Sequence, residues 1–192
     1  ASLNIPVFGC TTGGEILSCS GTPTVSDQSA VCCFIDPDPS LFSVMLFEKG
    51  ALLEDELGRQ IGRWGVTLFD EPGFIIVIAG LTNNVEAIVR GMEEICPPNT
   101  PVFGGIAADD WEFRETVVYT HQGSSTNGAA VIAFDRKKVS MDGLASSGWT
   151  GVGVDMVITS SENNTVYTIN DRPATQVIRE YLNVEEDALV RV

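Results

Sequence analysis

The chain of 192 residues carries 11 lysines and arginines against 26 aspartates and glutamates, so its formal net charge is −15. This length suffices for one substantial domain with an apolar core. Because a field of this sign repels phosphate groups, we expect neither nucleic-acid binding nor docking on an anionic membrane.

The first part of the chain predicts three strands and one helix. Apolar runs indicate strands at Pro6–Cys10, Val31–Ile35 and Phe42–Phe47. The helix follows, because four apolar side chains recur at helical spacing: Leu53, Leu57, Ile61 and Trp64.

The middle of the chain predicts a βαβ unit. Gly73–Gly80 is a continuous apolar run bounded by glycines, which is typical of a strand buried on both faces. Thr82 and Asn83 offer oxygens for a helix N-cap, and the helical periodicity runs to Ile95 before two prolines end it. The strand at Pro101–Gly104 then lies parallel to the first.

The rest of the chain predicts antiparallel strands and a closing helix. The strands are Thr116–Thr120, Ala129–Phe134, Val139–Ala145, Val154–Ser160 and Val166–Ile169, with Asn163 and Asn164 in the turn between the last two. Asp171 is expected to cap the helix, with Pro173 in its first turn. That helix would bury Ala174, Val177, Ile178, Tyr181 and Leu182.

A repeated motif indicates two related halves. Pro6–Cys10 recurs as Pro101–Gly105, and Ala30–Phe34 has a counterpart at Ala130–Phe134. We therefore expect an α/β fold of two pseudo-duplicated halves, with mixed β-sheets and helices on the outside. A layered αββα arrangement is one form this fold can take. If the halves are duplicates, a strand and helix of roughly 30 residues precede the first copy in the parent protein.

The turns after the two repeated strands are the candidate ligand site. Their glycines and small residues leave backbone N–H groups free to converge on an anion. The first turn contributes Gly9, Cys10, Thr11, Thr12, Gly14 and Glu15, and the second contributes Gly104, Gly105, Asp109, Asp110 and the following Trp111. A pocket between the turns would bind a carboxylate on its amides and an ammonium on an acidic side chain, which suits an amino acid or a related small anion. The alternative is that these glycines serve only close packing of the strands.

Two catalytic alternatives stay open: Cys10 as a nucleophile with His121 as its base, and a divalent cation held by Glu15, Asp109 and Asp110. Against them, one histidine excludes a multi-histidine metal site, and the phosphate-loop, hydrolase and dinucleotide-binding signatures are absent from the sequence. We therefore expect a protein without catalytic residues, metal or cofactor. A protein-interaction scaffold is a third alternative, and it predicts an exposed apolar patch.

The cysteines indicate a reducing compartment. Their number is five, which is odd, and Cys32 and Cys33 lie inside an apolar run. Small core thiols of this kind are typical of a reducing compartment, so we expect the protein in the cytoplasm.

Three segments resemble the FIST N-terminal domain family. Pro6–Ile16 is similar to that family's "viGcsTaGei" stretch, and Pro101–Asp110 is similar to its "GG-x-A-x-D-D" segment. Val166–Ala174, with Tyr181 and Leu182, is similar to its closing strand and helix. The resemblance extends over nearly the whole chain, in the right order.

The resemblance implies a sensory domain of intracellular signal transduction, found in bacterial signalling proteins and in some F-box proteins, that binds a small ligand such as an amino acid. It implies residues 1–192 as a single domain of this kind, with a strand and helix upstream of it. As partners it implies a C-terminal FIST domain or a signalling output domain downstream.

Overall fold

The computed structural model describes residues 5–19, 22–110, 112–146, 150–151, 153–163 and 165–183. The chain divides into two compact units, an N-terminal unit (Ala1–Leu144) and a C-terminal unit (Ala145–Val192). No helix among the described residues is long and apolar enough to cross a bilayer.

The N-terminal unit combines short strands with two helices. Its elements are β1 (Phe8–Cys10), β2 (Glu15–Cys19), β3 (Thr22–Ser26), a 3₁₀ turn (Pro39–Leu41), β4 (Phe42–Glu48), α1 (Glu54–Leu68), β5 (Pro72–Ile78), α2 (Val85–Glu93), β6 (Val102–Ile106), β7 (Val118–Thr120), β8 (Gly123–Ser125) and β9 (Gly128–Asp135). The C-terminal unit contains β10 (Ile158–Glu162), β11 (Thr165–Ile169), β12 (Arg172–Pro173) and α3 (Ala174–Leu182).

A four-stranded mixed sheet organises the N-terminal unit. Its strand order is β4-β9-β5-β6, in which β5 and β6 are parallel and the other pairs are antiparallel. The predicted βαβ unit is confirmed, although Asn84 replaces Thr82 and Asn83 as the N-cap of α2, where its Oδ1 accepts a hydrogen bond of 3.2 Å from the Ala87 N–H.

The two faces of this sheet bury different partners. Alternate side chains of β5 point to opposite faces, and Phe74, Ile76 and Ile78 pack with residues of both α1 and α2 in the main core. On the other face, Val77 packs against a second cluster that includes Val118. Helices, the four-stranded sheet and the β1-β7-β8 sheet thus form three layers, and the predicted α/β class with mixed sheets is confirmed.

Two predicted strands are absent from the described residues. Val31–Ile35 forms no ladder and leaves the Phe34 side chain 90% exposed, since the segment leads into Asp36-Pro37-Asp38-Pro39, where each proline lacks a ladder donor. Val139–Ala145 is also irregular. Conversely, the β2–β3 hairpin was not predicted.

The duplication is not confirmed. The first copy of the repeated motif forms β1 in the three-stranded sheet, whereas the second forms β6 in the four-stranded sheet. The segment Ala30–Phe34 has no strand to match β9.

The C-terminal unit is a small antiparallel sheet with one helix. The predicted hairpin of β10 and β11 is confirmed, with β10 starting at Ile158 rather than Val154; of its turn, Asn164 lies outside the described residues. The capping prediction for α3 is wrong, because Pro173 is the N-cap and Asp171 makes no cap. Ala174 and Val177 are buried, whereas the other three side chains expected in this core are at least 39% exposed: Ile178, Tyr181 and Leu182.

Candidate functional site

The second glycine turn (Gly104–Asp110) lies at the carboxyl end of β5 and β6. Gly104 has φ of +156°, and a Cβ at this residue would lie 1.8 Å from the Ile76 carbonyl oxygen, so the strand pair requires glycine there. The Ala107 N–H then donates a 2.8 Å hydrogen bond to the Ile78 carbonyl and extends the pairing by one residue. A Cβ at Gly105 would meet nothing within 4 Å, so this part of the turn is open.

The first glycine turn (Gly9–Glu15) is attached to the residues before β7. Gly9 pairs with Tyr119, whose ring lies so close that a Cβ at Gly9 would be 2.6 Å from it. Beyond the strand, the Thr11 N–H donates to the Val117 carbonyl at 2.8 Å, and the Thr11 Oγ1 accepts from the Val117 N–H at 3.0 Å. Both Gly9 and Gly104 therefore have the packing role that the alternative interpretation assigns to them.

The two turns are in contact. The Ala108 N–H donates a 3.1 Å hydrogen bond to the Thr11 carbonyl. A Cβ built on Gly13 would lie 3.5 Å from the Ala108 Cβ and 4.0 Å from the Asp110 nitrogen. The structure thus brings the two predicted turns together at one edge of the sheet.

The Glu15 carboxylate is held within the first turn and the adjacent loop. It accepts hydrogen bonds from the Thr12 hydroxyl at 2.5 Å and from the Ser29 hydroxyl at 2.6 Å and N–H at 3.2 Å. The hydrogen bond from the Ser29 hydroxyl, followed by that from Thr12, lowers the pKa of Glu15, so this side chain stays anionic.

The Asp109 carboxylate organises the loop that follows the second turn. It accepts from the backbone N–H groups of Arg114 at 2.7 Å, Glu115 at 3.1 Å and Phe113 at 3.2 Å. These hydrogen bonds, that of Arg114 first, lower the pKa of Asp109. Its role is therefore to fix the backbone, and the neighbouring Asp110, which is exposed, is the acidic side chain of this turn open to solvent.

The two catalytic alternatives lack the geometry they need. Burial raises the pKa of the Cys10 thiol, which disfavours the reactive thiolate. Cys10 pairs with Val118, while His121 follows Thr120 at the opposite end of β7, about 10 Å further along the strand. The described residues contain no cluster of three or more His, Cys, Asp or Glu side chains that could hold a metal ion, so Glu15, Asp109 and Asp110 do not form the cation site considered above.

Two polar residues at the same edge were not predicted as site residues. The Thr116 Oγ1, in a side chain only 3% exposed, accepts a 2.9 Å hydrogen bond from the Gly80 N–H. The Asn83 Nδ2 donates to the Ala79 carbonyl at 2.9 Å, and its buried Oδ1 has no partner among the described residues. Asn83 follows β5 and Thr116 precedes β7 in the chain, and these positions at strand ends could have identified them as site residues. Trp111 lies outside the described residues.

The β2–β3 hairpin exposes apolar side chains. Ile16 and Val25 are cross-strand partners and are 69% and 70% exposed. On the other face of β2, Leu17 is also exposed. This is the kind of surface that the scaffold alternative predicts.

The C-terminal unit contains a cavity of about 240 Å³, which the sequence analysis did not predict. Val154, Met156 and Val177 supply apolar lining, and the Arg172–Glu180 ion pair supplies charged lining. The charged residues stand eight positions apart, on β12 and on α3, which follows β12 directly in the chain.

A comparison with protein families identifies the family of the chain. The family model described as the FIST N domain matches residues 1–172. No curated protein and no solved structure is significantly similar to the chain.

Proposed function

The chain belongs to the FIST N domain family, whose members are sensory domains of signal transduction proteins, and we propose that it senses a small ligand at the contact between its two glycine turns. The ligand is an amino acid or a related small anion. The signal passes in the cytoplasm to an attached C-terminal FIST domain or another output domain.

The observation that carries this proposal is the hydrogen bond from Ala108 to Thr11 at the carboxyl edge of β5 and β6. In α/β sheets, ligands bind outside the carboxyl ends of parallel strands, where loops of different strands meet. Here a turn from another sheet joins the turn that follows β6, so a ligand contacting both would change how the two sheets are held together.

The chemistry of the two turns supports a small zwitterion or anion. Gly105 and Gly13 leave backbone exposed, and such segments present N–H groups to a carboxylate. The acidic side chains of Glu15 in the first turn and Asp110 in the second turn can attract an ammonium.

A thermal-shift screen with the twenty common amino acids on the full chain tests this proposal. A ligand that binds only the native state raises the melting temperature of the protein. When its concentration is one hundred times its dissociation constant, it adds about 2.7 kcal/mol to the free energy of unfolding. Glu15→Gln and Asp110→Asn should each reduce the shift, while Glu86→Gln on the exposed side of α2 should leave it unchanged. No shift with any amino acid would remove the amino-acid form of the proposal.

A protein-interaction scaffold is the second candidate, favoured by the exposed Ile16–Val25 pair. The two functions differ in what a surface change does. For a scaffold, Ile16→Lys should weaken binding of an output domain while leaving any amino-acid shift unaffected; for the ligand sensor, Ile16→Lys should leave ligand-dependent signalling intact.

A further inference from the structure

The cavity of the C-terminal unit has the form of a small-molecule site separate from the glycine turns. Val177, 8% exposed, lies on α3, and Val154 and Met156 come from the segment before β10. The Tyr181 hydroxyl lies so close to Gly153 that a side chain there would collide with it. The volume of about 240 Å³ is below the roughly 300–1,000 Å³ of sites for drug-sized ligands, so the cavity has room only for a smaller molecule.

Among the described residues, the polar side chains that line the cavity offer further hydrogen-bond donors rather than acceptors. Arg172 Nη2 donates to both oxygens of Glu180, at 2.6 and 2.7 Å, and Gln176 donates to Oε1 of the same carboxylate at 3.0 Å. The Glu180 oxygens are thus engaged, whereas Arg172 makes these bonds with only one of its three nitrogens. Asn170 uses its Oδ1 to accept from the Val157 N–H at 2.9 Å, which leaves its amide N–H groups as further donors.

We propose that this cavity binds a small organic carboxylate with an apolar chain, which takes Arg172 from Glu180. The Arg172–Glu180 pair is about half exposed on both sides, and exposed pairs contribute only about 0–1 kcal/mol, so opening it costs little. The planar guanidinium binds a carboxylate through two parallel hydrogen bonds, and the apolar chain of the ligand lies against Val154, Met156 and Val177.

The test uses 4-methylpentanoate as the probe, with two matched relatives. 4-Methylpentanamide has the same chain without the charge, and leucine adds an ammonium next to the carboxylate. Titration of the full chain by calorimetry and by amide NMR should give binding of 4-methylpentanoate with shifts at residues 153–156 and 170–181. The amide should bind at least about tenfold more weakly, because a hydrogen bond to a charged group contributes about 1.5–3 kcal/mol.

Two variants that break the same ion pair separate binding from folding. Arg172→Gln removes the group that binds the ligand's carboxylate and should lower the affinity for 4-methylpentanoate by about tenfold or more. Glu180→Gln removes the carboxylate that competes with the ligand for Arg172 and should raise the affinity for 4-methylpentanoate. Any shared effect on the fold moves both variants in one direction, so opposite changes in affinity identify the site. Arg63→Gln, in the exposed pair with Glu56 on α1, is the neutral control.

Four results would overturn the proposal. The first is that 4-methylpentanoate does not bind, and the second is that the acid and the amide bind equally well. The third is that the amide NMR shifts are confined to the N-terminal unit. The fourth is that Glu180→Gln binds 4-methylpentanoate more weakly and the unmodified chain prefers leucine to 4-methylpentanoate. The last result would mean that the site takes a zwitterion through both members of the ion pair. Loss of this site would leave the glycine-turn proposal untouched, because that proposal is tested by the thermal-shift screen with the Glu15→Gln and Asp110→Asn variants of the N-terminal unit.

Discussion

The helix-covered face of β5 and the β2–β3 hairpin carry similar apolar side chains in opposite environments. Phe74 is 0% exposed between the sheet and the helices, whereas Ile16 is 69% exposed on a two-stranded ladder. A two-stranded hairpin is marginally stable by itself. We infer that the packing energy of the fold is concentrated in the layers around β5, while the segments near the first glycine turn are held by a few hydrogen bonds.

Truncating one apolar side chain in each region gives the largest contrast. Phe74→Ala should lower the free energy of unfolding by about 3–5 kcal/mol, because it leaves a cavity in a packed core. Ile16→Ala should change it by no more than about 0.5 kcal/mol, since the side chain already contacts water. Urea denaturation of the full chain, followed by circular dichroism, measures both. Equal losses would mean that the hairpin is covered in solution.

A second test probes how closely the two helices of the covered face approach each other. A Cβ on Gly91 of α2 would lie 2.1 Å from the Asp55 carbonyl oxygen of α1. Gly91→Ala should therefore cost about 1–3 kcal/mol from overpacking, although alanine is intrinsically the better helix former by about 1 kcal/mol. Gly105→Ala, where a Cβ meets open space, is the matched control and should be close to neutral. A more stable Gly91→Ala variant would show that the helices are further apart.

The same contrast explains what the sequence could predict about the fold. The segment from β5 to β6 is a βαβ unit whose two parallel strands are joined by α2, so its apolar run and helical period report its structure directly. In β2, apolar and polar residues occur on both faces, so no alternation marks that strand. The strand expected at Val31–Ile35 had the apolar composition of a strand but no partner to pair with.

The site was only partly predictable for a related reason. The glycine turns were identified from a repeated motif, yet the duplication behind that argument is not confirmed. The turns meet because β1 pairs with β7, a contact between residues about 110 positions apart in the chain, which no local pattern encodes. The roles of Glu15 and Asp109 as backbone and hydroxyl acceptors depended on loops whose course the sequence did not indicate.

A substitution of Thr11 tests how much a single hydrogen bond contributes to the free energy of unfolding near the first glycine turn. Thr11→Val keeps the shape of the side chain but leaves the Val117 N–H without its 3.0 Å acceptor. The expected loss is about 1–2 kcal/mol in the free energy of unfolding. Thr12→Val is the matched control, because the Thr12 hydroxyl is exposed and water can replace its partner. A loss for Thr12→Val as large as that for Thr11→Val would indicate that the turn depends on Glu15 rather than on Val117.

Replacing Asp109 should have the smallest effect on stability, and that effect should depend on pH, unlike the effect of truncating a core side chain. Its hydrogen bonds from the backbone N–H groups, that of Arg114 first, hold the folded-state pKa of Asp109 below the unfolded value of about 3.9. The stabilisation is therefore complete above that unfolded value and is lost as the pH falls through the folded pKa. Asp109→Asn should lower the melting temperature at neutral pH, and its difference from the unmodified chain should shrink below about pH 4. The loss caused by Phe74→Ala involves no titrating group and should keep its size over the same range. A difference for Asp109→Asn that stayed constant with pH would mean that the loop from Asp109 to Glu115 is held by packing rather than by the ionised carboxylate.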